Sequence, residues 1–153
     1  MLMDVYLLGL GLGLGYHCYT DLRYMLLYDS TNCYLLCLGW VRAWQLGLLQ
    51  EAWQGLVVLG TLMLLVYWAS RGGMGEGDVK LAAVLGLWLG VERGLLCLLL
   101  AFVSGAVLGG ALLFLQLAKG RTALPFGPFL CASALLSYVF GNRLLAWYYQ
   151  FFS

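Results

Sequence analysis

Within residues 94–118 not one side chain is charged, and a helix over that run exceeds the roughly 20 residues needed to cross the hydrocarbon core of a bilayer. Runs at 2–19, 32–49, 53–70, 79–90 and 126–148 approach the same character. With 63% of residues hydrophobic and only 10% charged, the chain reads as an integral membrane protein rather than a water-soluble domain. The expected fold is all-α: one polytopic bundle of about six transmembrane helices, a single domain over residues 1–153, with the lipid bilayer as its solvent. The run at 79–90 is too short to span comfortably alone. Its N-terminal end is therefore expected to be irregular backbone, buried in protein or lining a wet cavity.

The net charge of +1 provides no basic field for nucleic acid. Cys18, Cys33, Cys37, Cys97 and Cys131 form no C-x-x-C pair, which argues against a zinc ribbon and against a disulfide framework. The first apolar run starts without a basic segment before it and reads as a retained helix. With the N-terminus outside, Arg23, Arg71, Lys80, Lys119 and Arg121 all fall on the cytoplasmic side and only Arg93 lies in an outer loop. The expected topology is N-out and C-out, with cytoplasmic connections at 20–31, 71–78 and 119–125. Arg42 and Arg143 lie inside apparent spans and are expected to snorkel to the outer interface. Trp40, Trp44, Trp53, Trp68, Trp147, Tyr148 and Tyr149 cluster toward helix ends, as interfacial anchors do. Gly9, Gly11, Gly13 and Gly15 alternate with leucine, without the strand that a nucleotide loop needs. Gly9-x-x-x-Gly13, Gly11-x-x-x-Gly15 and Gly105-x-x-x-Gly109 are expected to let helices approach closely in lipid.

Against this background the stretch "GGMGEGDVK" at 72–80 stands out, because charge at a membrane boundary is costly. Asp21, Asp29, Glu76 and Asp78 fall on the cytoplasmic side, and Asp4, Glu51 and Glu92 outside. Asp78 has a bland explanation as a helix N-cap, and Lys80 as a snorkelling side chain. A cap, however, does not need Gly75 and Gly77 immediately upstream, whereas backbone passing close to another segment does. Asp21 has the bland reading of a solvated residue paired with Arg23, yet an acid at a helix C-terminus opposes the macrodipole. If Asp21 and Asp78 meet in the bundle, their pKa values are pushed apart and one is ionised while the other holds a proton. Such a pair can activate water against a peptide carbonyl and protonate the leaving nitrogen. Spacing alone takes the reading only as far as intramembrane aspartyl chemistry.

Three stretches resemble the prepilin peptidase family, membrane aspartyl proteases of the type IV leader peptidase kind with a G-x-G-D signature. "GEGDVKL" at 75–81 is similar to the G-x-G-D-x-K region, "DLRYMLLYD" at 21–29 to the first catalytic segment, and "LPFGPFL" at 124–130 to the I-P-F-G-P-F-L stretch before the last helix. The resemblance implies that Asp21 and Asp78 are the catalytic pair. Gly75, Gly77, Asp29, Glu76, Lys80, Pro125 and Pro128 would shape the site or contact substrate, the prolines fixing where the last helix starts. Tyr28 stands where the family usually has proline. The implied substrate is a type IV prepilin or pseudopilin, with a short basic leader before a hydrophobic helix, cleaved at the cytoplasmic face of the bacterial inner membrane. Asp29 and Glu76 are expected to attract that leader. Longer family members carry a segment with paired C-x-x-C motifs linked to N-methylation. Neither those pairs nor the extra length is present, so methyl transfer is not expected.

No cofactor and no metal is expected. His17 and Asp21 are four apart, but no zinc spacing is met, and His17 is expected to face the cytoplasmic boundary. The rival reading from another class is a small carrier or channel that handles protons or cations with Asp21 and Asp78. It predicts deeper charges and an internal repeat, and residues 1–70 and 71–153 share no aligned motif. A catalytically dead assembly subunit is a third reading, although both aspartates remain.

Overall fold

A computed structural model of the chain describes residues 2–71, 73–115 and 125–152. Their regular structure is helical throughout: α1 (Leu2–Tyr24), α2 (Asp29–Gln45), α3 (Leu49–Ala69), α4 (Glu76–Phe114) and α5 (Gly127–Phe152). Lys119, Arg121 and Leu124, with most of the expected 119–125 connection, lie outside the described residues.

The turns after α1, α2 and α3 have local causes. Met25, at φ 50, enters the left-handed region and ends α1, its N–H bonding back to the Asp21 carbonyl at 2.9 Å. Gly47, at φ 70, closes α2 in a Schellman motif. Its N–H donates to Trp44 O at 3.2 Å and the Leu48 N–H to Ala43 O at 2.8 Å. Arg71, at φ 49, follows α3, its N–H donating to Trp68 O at 3.3 Å.

The decisive break is inside α4. Gly90 has φ 73 and ψ −174, a backbone region essentially reserved for glycine. A straight helix of 39 residues would extend about 58 Å, yet this one folds back on itself. A Cβ on Gly60 would touch Ala83, one on Gly55 would meet Gly86 and Gly90, and one on Gly94 would meet Leu59. Residues before and after Gly90 thus run along the same stretch of α3 in opposite directions. The short run at 79–90 and, of the long one, the described residues 94–114 are the two arms of this reversal.

Helix contacts are made through small residues. A Cβ on Gly55 would land on the Gly86 carbonyl, and one on Gly86 on that of Gly55, so α3 and α4 meet backbone to backbone. The alternating glycines of α1 divide by face. Gly9 and Gly13 receive Leu38 and Leu35 of α2, whereas Gly11 and Gly15 have nothing within 4 Å. Leu10, Leu14, Leu35, Leu59, Met63, Leu81, Leu85 and Leu130 fill the interior. Val5, Leu8 and Leu12 point outward and are more than half exposed, an apolar exterior that suits lipid rather than water. Leu49–Ala69, Glu76–Leu112 and Gly127–Phe151 are long and apolar enough to cross a membrane.

Arg42 departs from expectation. It does not snorkel outward but is buried between α2, α4 and α5, its guanidinium 5.6 Å from the Trp88 ring and 5.4 Å from that of Tyr138. Trp40, Trp44, Trp53, Trp68, Trp147, Tyr148 and Tyr149 are all exposed.

Candidate active site

Asp21 occupies the last turn of α1, where the carbonyl end of the helix disfavours a carboxylate. It is nonetheless buried, at 6% exposure, and forms no ion pair with the exposed Arg23. The compensation comes from α5. The Gly127 N–H, at the start of that helix, donates to Asp21 Oδ2 at 2.8 Å, a charge-assisted bond reinforced by the positive end of the α5 dipole. The sequence "PFGP" explains why this donor is free. Pro128 has no N–H, which the first turn of a helix tolerates, and Phe129 and Leu130 both donate to Phe126 O at 3.1 Å. Glycine also leaves room for that carboxylate, since a Cβ at 127 would lie 2.6 Å from Asp21 Oδ2 and 3.0 Å from Cγ and would force one of them to shift.

Asp78 is the third residue of α4, in the first turn but three positions past the N-cap place at Gly75, and is buried at 8% exposure. Its N–H donates to Gly75 O at 3.2 Å. A Cβ on Gly75 would come 3.4 Å from Asp78 Oδ2, which is ordinary contact. Gly77 is the constrained glycine: a Cβ there would meet Leu27 Cβ at 2.8 Å, so the α1–α2 connection packs directly on the start of α4. Asp21 acts electrostatically on Asp78, which puts the two carboxylates in one buried neighbourhood. The buried Cys131 thiol, one turn into α5, is within electrostatic reach of both.

Around the pair, Lys80 Nζ clasps Asp29 at 2.8 and 2.9 Å from its two oxygens. The expected free charge of Asp29 is therefore engaged, and the exposed bridge ties the start of α2 to α4. Tyr67 donates to the exposed Glu76 at 3.5 Å. Pro125 precedes α5 and Pro128 is its second residue. His17, expected at the boundary, is instead fully buried one turn before Asp21, facing Asn32. Neither ring nitrogen has a hydrogen-bond partner, and no cluster of three or more metal-ligating side chains occurs among the described residues.

The structure thus joins Asp21 to Gly127 by a hydrogen bond, sets buried Asp78 within electrostatic reach of Asp21, and leaves Asp29, Glu76 and Lys80 at the exposed margin. Gly127 is the residue that motif reading passed over in favour of its flanking prolines. Its signal was the glycine between them. Two buried carboxylates that feel each other's charge do not ionise together easily, so one tends to keep its proton.

The model of the type IV leader peptidase family matches residues 8–110, which include both aspartates. The chain is 39% identical over 139 residues to the prepilin leader peptidase/N-methyltransferase of Stutzerimonas stutzeri, covering 86% of this chain and 48% of that protein. It is 37% identical to the protein of that name from Xanthomonas campestris pv. campestris, with the same 86% and 48% coverage. To that of Bacillus subtilis it is 31% identical, over 84% of this chain and 53% of the relative. The chain therefore spans about half the length of these curated relatives. No solved structure matches it.

Proposed function

The chain belongs to the type IV leader peptidase family and is an integral membrane protein, and from that premise we propose that it is an aspartyl endopeptidase acting on type IV prepilins or pseudopilins. Asp21 and Asp78 are its catalytic pair. One carboxylate takes a proton from water as the water oxygen adds to the scissile carbonyl. The other gives its proton to the amide nitrogen as the C–N bond breaks. The observation that carries this reading is the burial of both carboxylates in one neighbourhood, with Asp21 held by the Gly127 N–H. Which aspartate starts as base is a property of the pair, not of either residue.

The proposed setting is the bacterial inner membrane, crossed about six times, because the reversal at Gly90 turns α4 into two passes. The aspartate end faces the cytoplasm, a placement supported by Arg23, Arg71 and Lys80 at that end. α1 begins and α5 ends at the other. The substrate carries a short basic leader and then a hydrophobic helix. Exposed Glu76, and Asp29 once its clasp with Lys80 opens, are the acids placed to meet such a leader. The proposal covers peptide cleavage alone.

The test is cleavage of a co-expressed prepilin by wild type, Asp21→Asn and Asp78→Asn at matched membrane levels. Wild type is expected to trim the leader and both variants to fail. Cleavage by either variant removes the paired-carboxylate mechanism. A wild type inert toward several basic-leader substrates, yet conducting protons in liposomes, would return the aspartates to a transport role.

A further inference from the structure

At the end of the bundle away from the aspartates, where α4 reverses, a cavity of ≈ 750 Å³ opens among α2, α3, α4 and α5. Its wall includes Arg42, Glu51, Trp88, Glu92, Arg93 and Asn142. Arg42 is the anomaly. It is 7% exposed, donates one bond through Nη1 to Trp88 O at 3.3 Å, and its Nε has no partner. No carboxylate pairs with it among the described residues. A guanidinium taken out of water without an anion is a costly arrangement, and aromatic rings on its flanks offset only part of that cost.

Arg93 stands on the same wall, half-buried, its stem accommodated by Gly141, where a Cβ would lie 3.1 Å from Arg93 Cγ. Glu51 and Glu92 are exposed at the same cavity, and neither reaches either arginine within ion-pair distance. The wall thus presents two cations and two anions that do not neutralise one another. This is the complement of a ligand with separated negative and positive charge. Nearby, Trp44 is 71% and Trp53 55% exposed, and Trp53 meets Trp40 edge-on at 6.4 Å. Exposed indoles of this kind mark the headgroup level of a bilayer, which favours a lipid over a soluble anion. The volume falls within the roughly 300–1,000 Å³ of small-molecule sites.

We propose that this cavity binds the headgroup of a phospholipid bearing a phosphate and a primary amine, the phosphate on Arg42 and Arg93 and the ammonium by Glu51 and Glu92. The site is separate from the aspartates and stands whether or not the chain cleaves peptides.

The test uses the full chain purified in detergent and read by native mass spectrometry and thermal unfolding. It is titrated with phosphatidylethanolamine, phosphatidylglycerol, inorganic phosphate or glycerophosphoethanolamine. Saturable binding of one phosphatidylethanolamine per chain is expected, weakened at least tenfold by Arg93→Gln and several-fold by the double substitution Glu51→Gln/Glu92→Gln. Arg42→Gln is expected to abolish it. Should that variant fail to fold, the Arg93 and glutamate variants carry the test. Asp21→Asn is expected to bind lipid as wild type does. Equal binding of phosphatidylglycerol with no effect of the glutamate variants overturns the amine assignment. Competition by glycerophosphoethanolamine or phosphate at equal concentration overturns the lipid source. No saturable binding, or binding indifferent to Arg93→Gln, overturns the site.

Discussion

Gly127→Ala isolates the contact on which the candidate site most depends. The added Cβ would lie 2.6 Å from Asp21 Oδ2, and ordinary contact begins at 3.4 Å, so the carboxylate or the start of α5 must yield by about 0.8 Å. Backbone conformation does not confound the change, because Gly127 is not among the glycines with positive φ. Inside a helix alanine is favoured over glycine by about 0.5–1 kcal/mol, so helix propensity does not argue against the substitution. A catalytic group misplaced by about 1 Å loses about 10²-fold in rate, or about 2.7 kcal/mol of transition-state stabilisation. Weakening the 2.8 Å bond from the Gly127 N–H acts in the same direction. The expected result is a kcat near one hundredth of wild type on a purified prepilin substrate, with KM changed less than threefold. Gly11→Ala is the control, since nothing lies within 4 Å of that position, and it should cleave normally. A Gly127→Ala enzyme that folds and keeps more than a third of wild-type kcat would refute the role given to this contact.

Other outcomes follow from the same geometry. Gly90→Ala should destabilise the protein by about 1–3 kcal/mol, the usual cost of a side chain in that backbone region, read as a lowered thermal midpoint in detergent. Gly86→Ala forces apart two backbones in direct contact and should cost about 1–3 kcal/mol as overpacking; an unchanged midpoint would mean that α3 and α4 do not meet there in the membrane. Lys80→Gln frees the Asp29 carboxylate from its clasp. It is expected to lower KM for a basic-leader substrate two- to threefold at low salt, an effect that should fade as salt screens it. Asp29→Asn in the same background should cancel the gain.

How much of this was legible follows from what periodicity can and cannot report. Lengths of apolar runs located the helical segments among the described residues, and the break at Gly90 fell where Glu92 and Arg93 interrupt the apolar sequence. The polar motifs could be ordered along the chain because charge is rare in it. Facing directions were hidden. A helix in lipid is apolar on both its inner and outer sides, so the moment that identifies a buried face in a soluble helix is weak. For that reason Gly9 and Gly13 could not be told from Gly11 and Gly15, nor an inward Arg42 from a snorkelling one. The Gly55–Gly86 approach joins residues of different helices and leaves no trace in either local sequence. Gly127 escaped for a related reason: its partner is 106 residues away.

Asp21 shows why the site needs the whole bundle and not just its motifs. On α1 alone a carboxylate in the last turn faces its own helix's unpaired carbonyls, and it would be better solvated than buried. Burial becomes tolerable only where another helix starts, because a helix start presents free N–H groups and the opposite end of a dipole. α5 does so at Gly127, and the two prolines of "PFGP" put that start at one residue. Asp78 needs less help, since it already sits in the first turn of its own helix. The two carboxylates therefore differ in what holds them: Asp78 depends on α4, Asp21 on a partner far away in sequence. A chain lacking the α5 start should keep Asp78 in place and lose Asp21 to solvent. Pro128→Ala tests the finer point. It restores a competing N–H to the first turn and should reduce cleavage severalfold while leaving the helices intact, whereas an unchanged rate would show that Gly127 alone sets the position of Asp21.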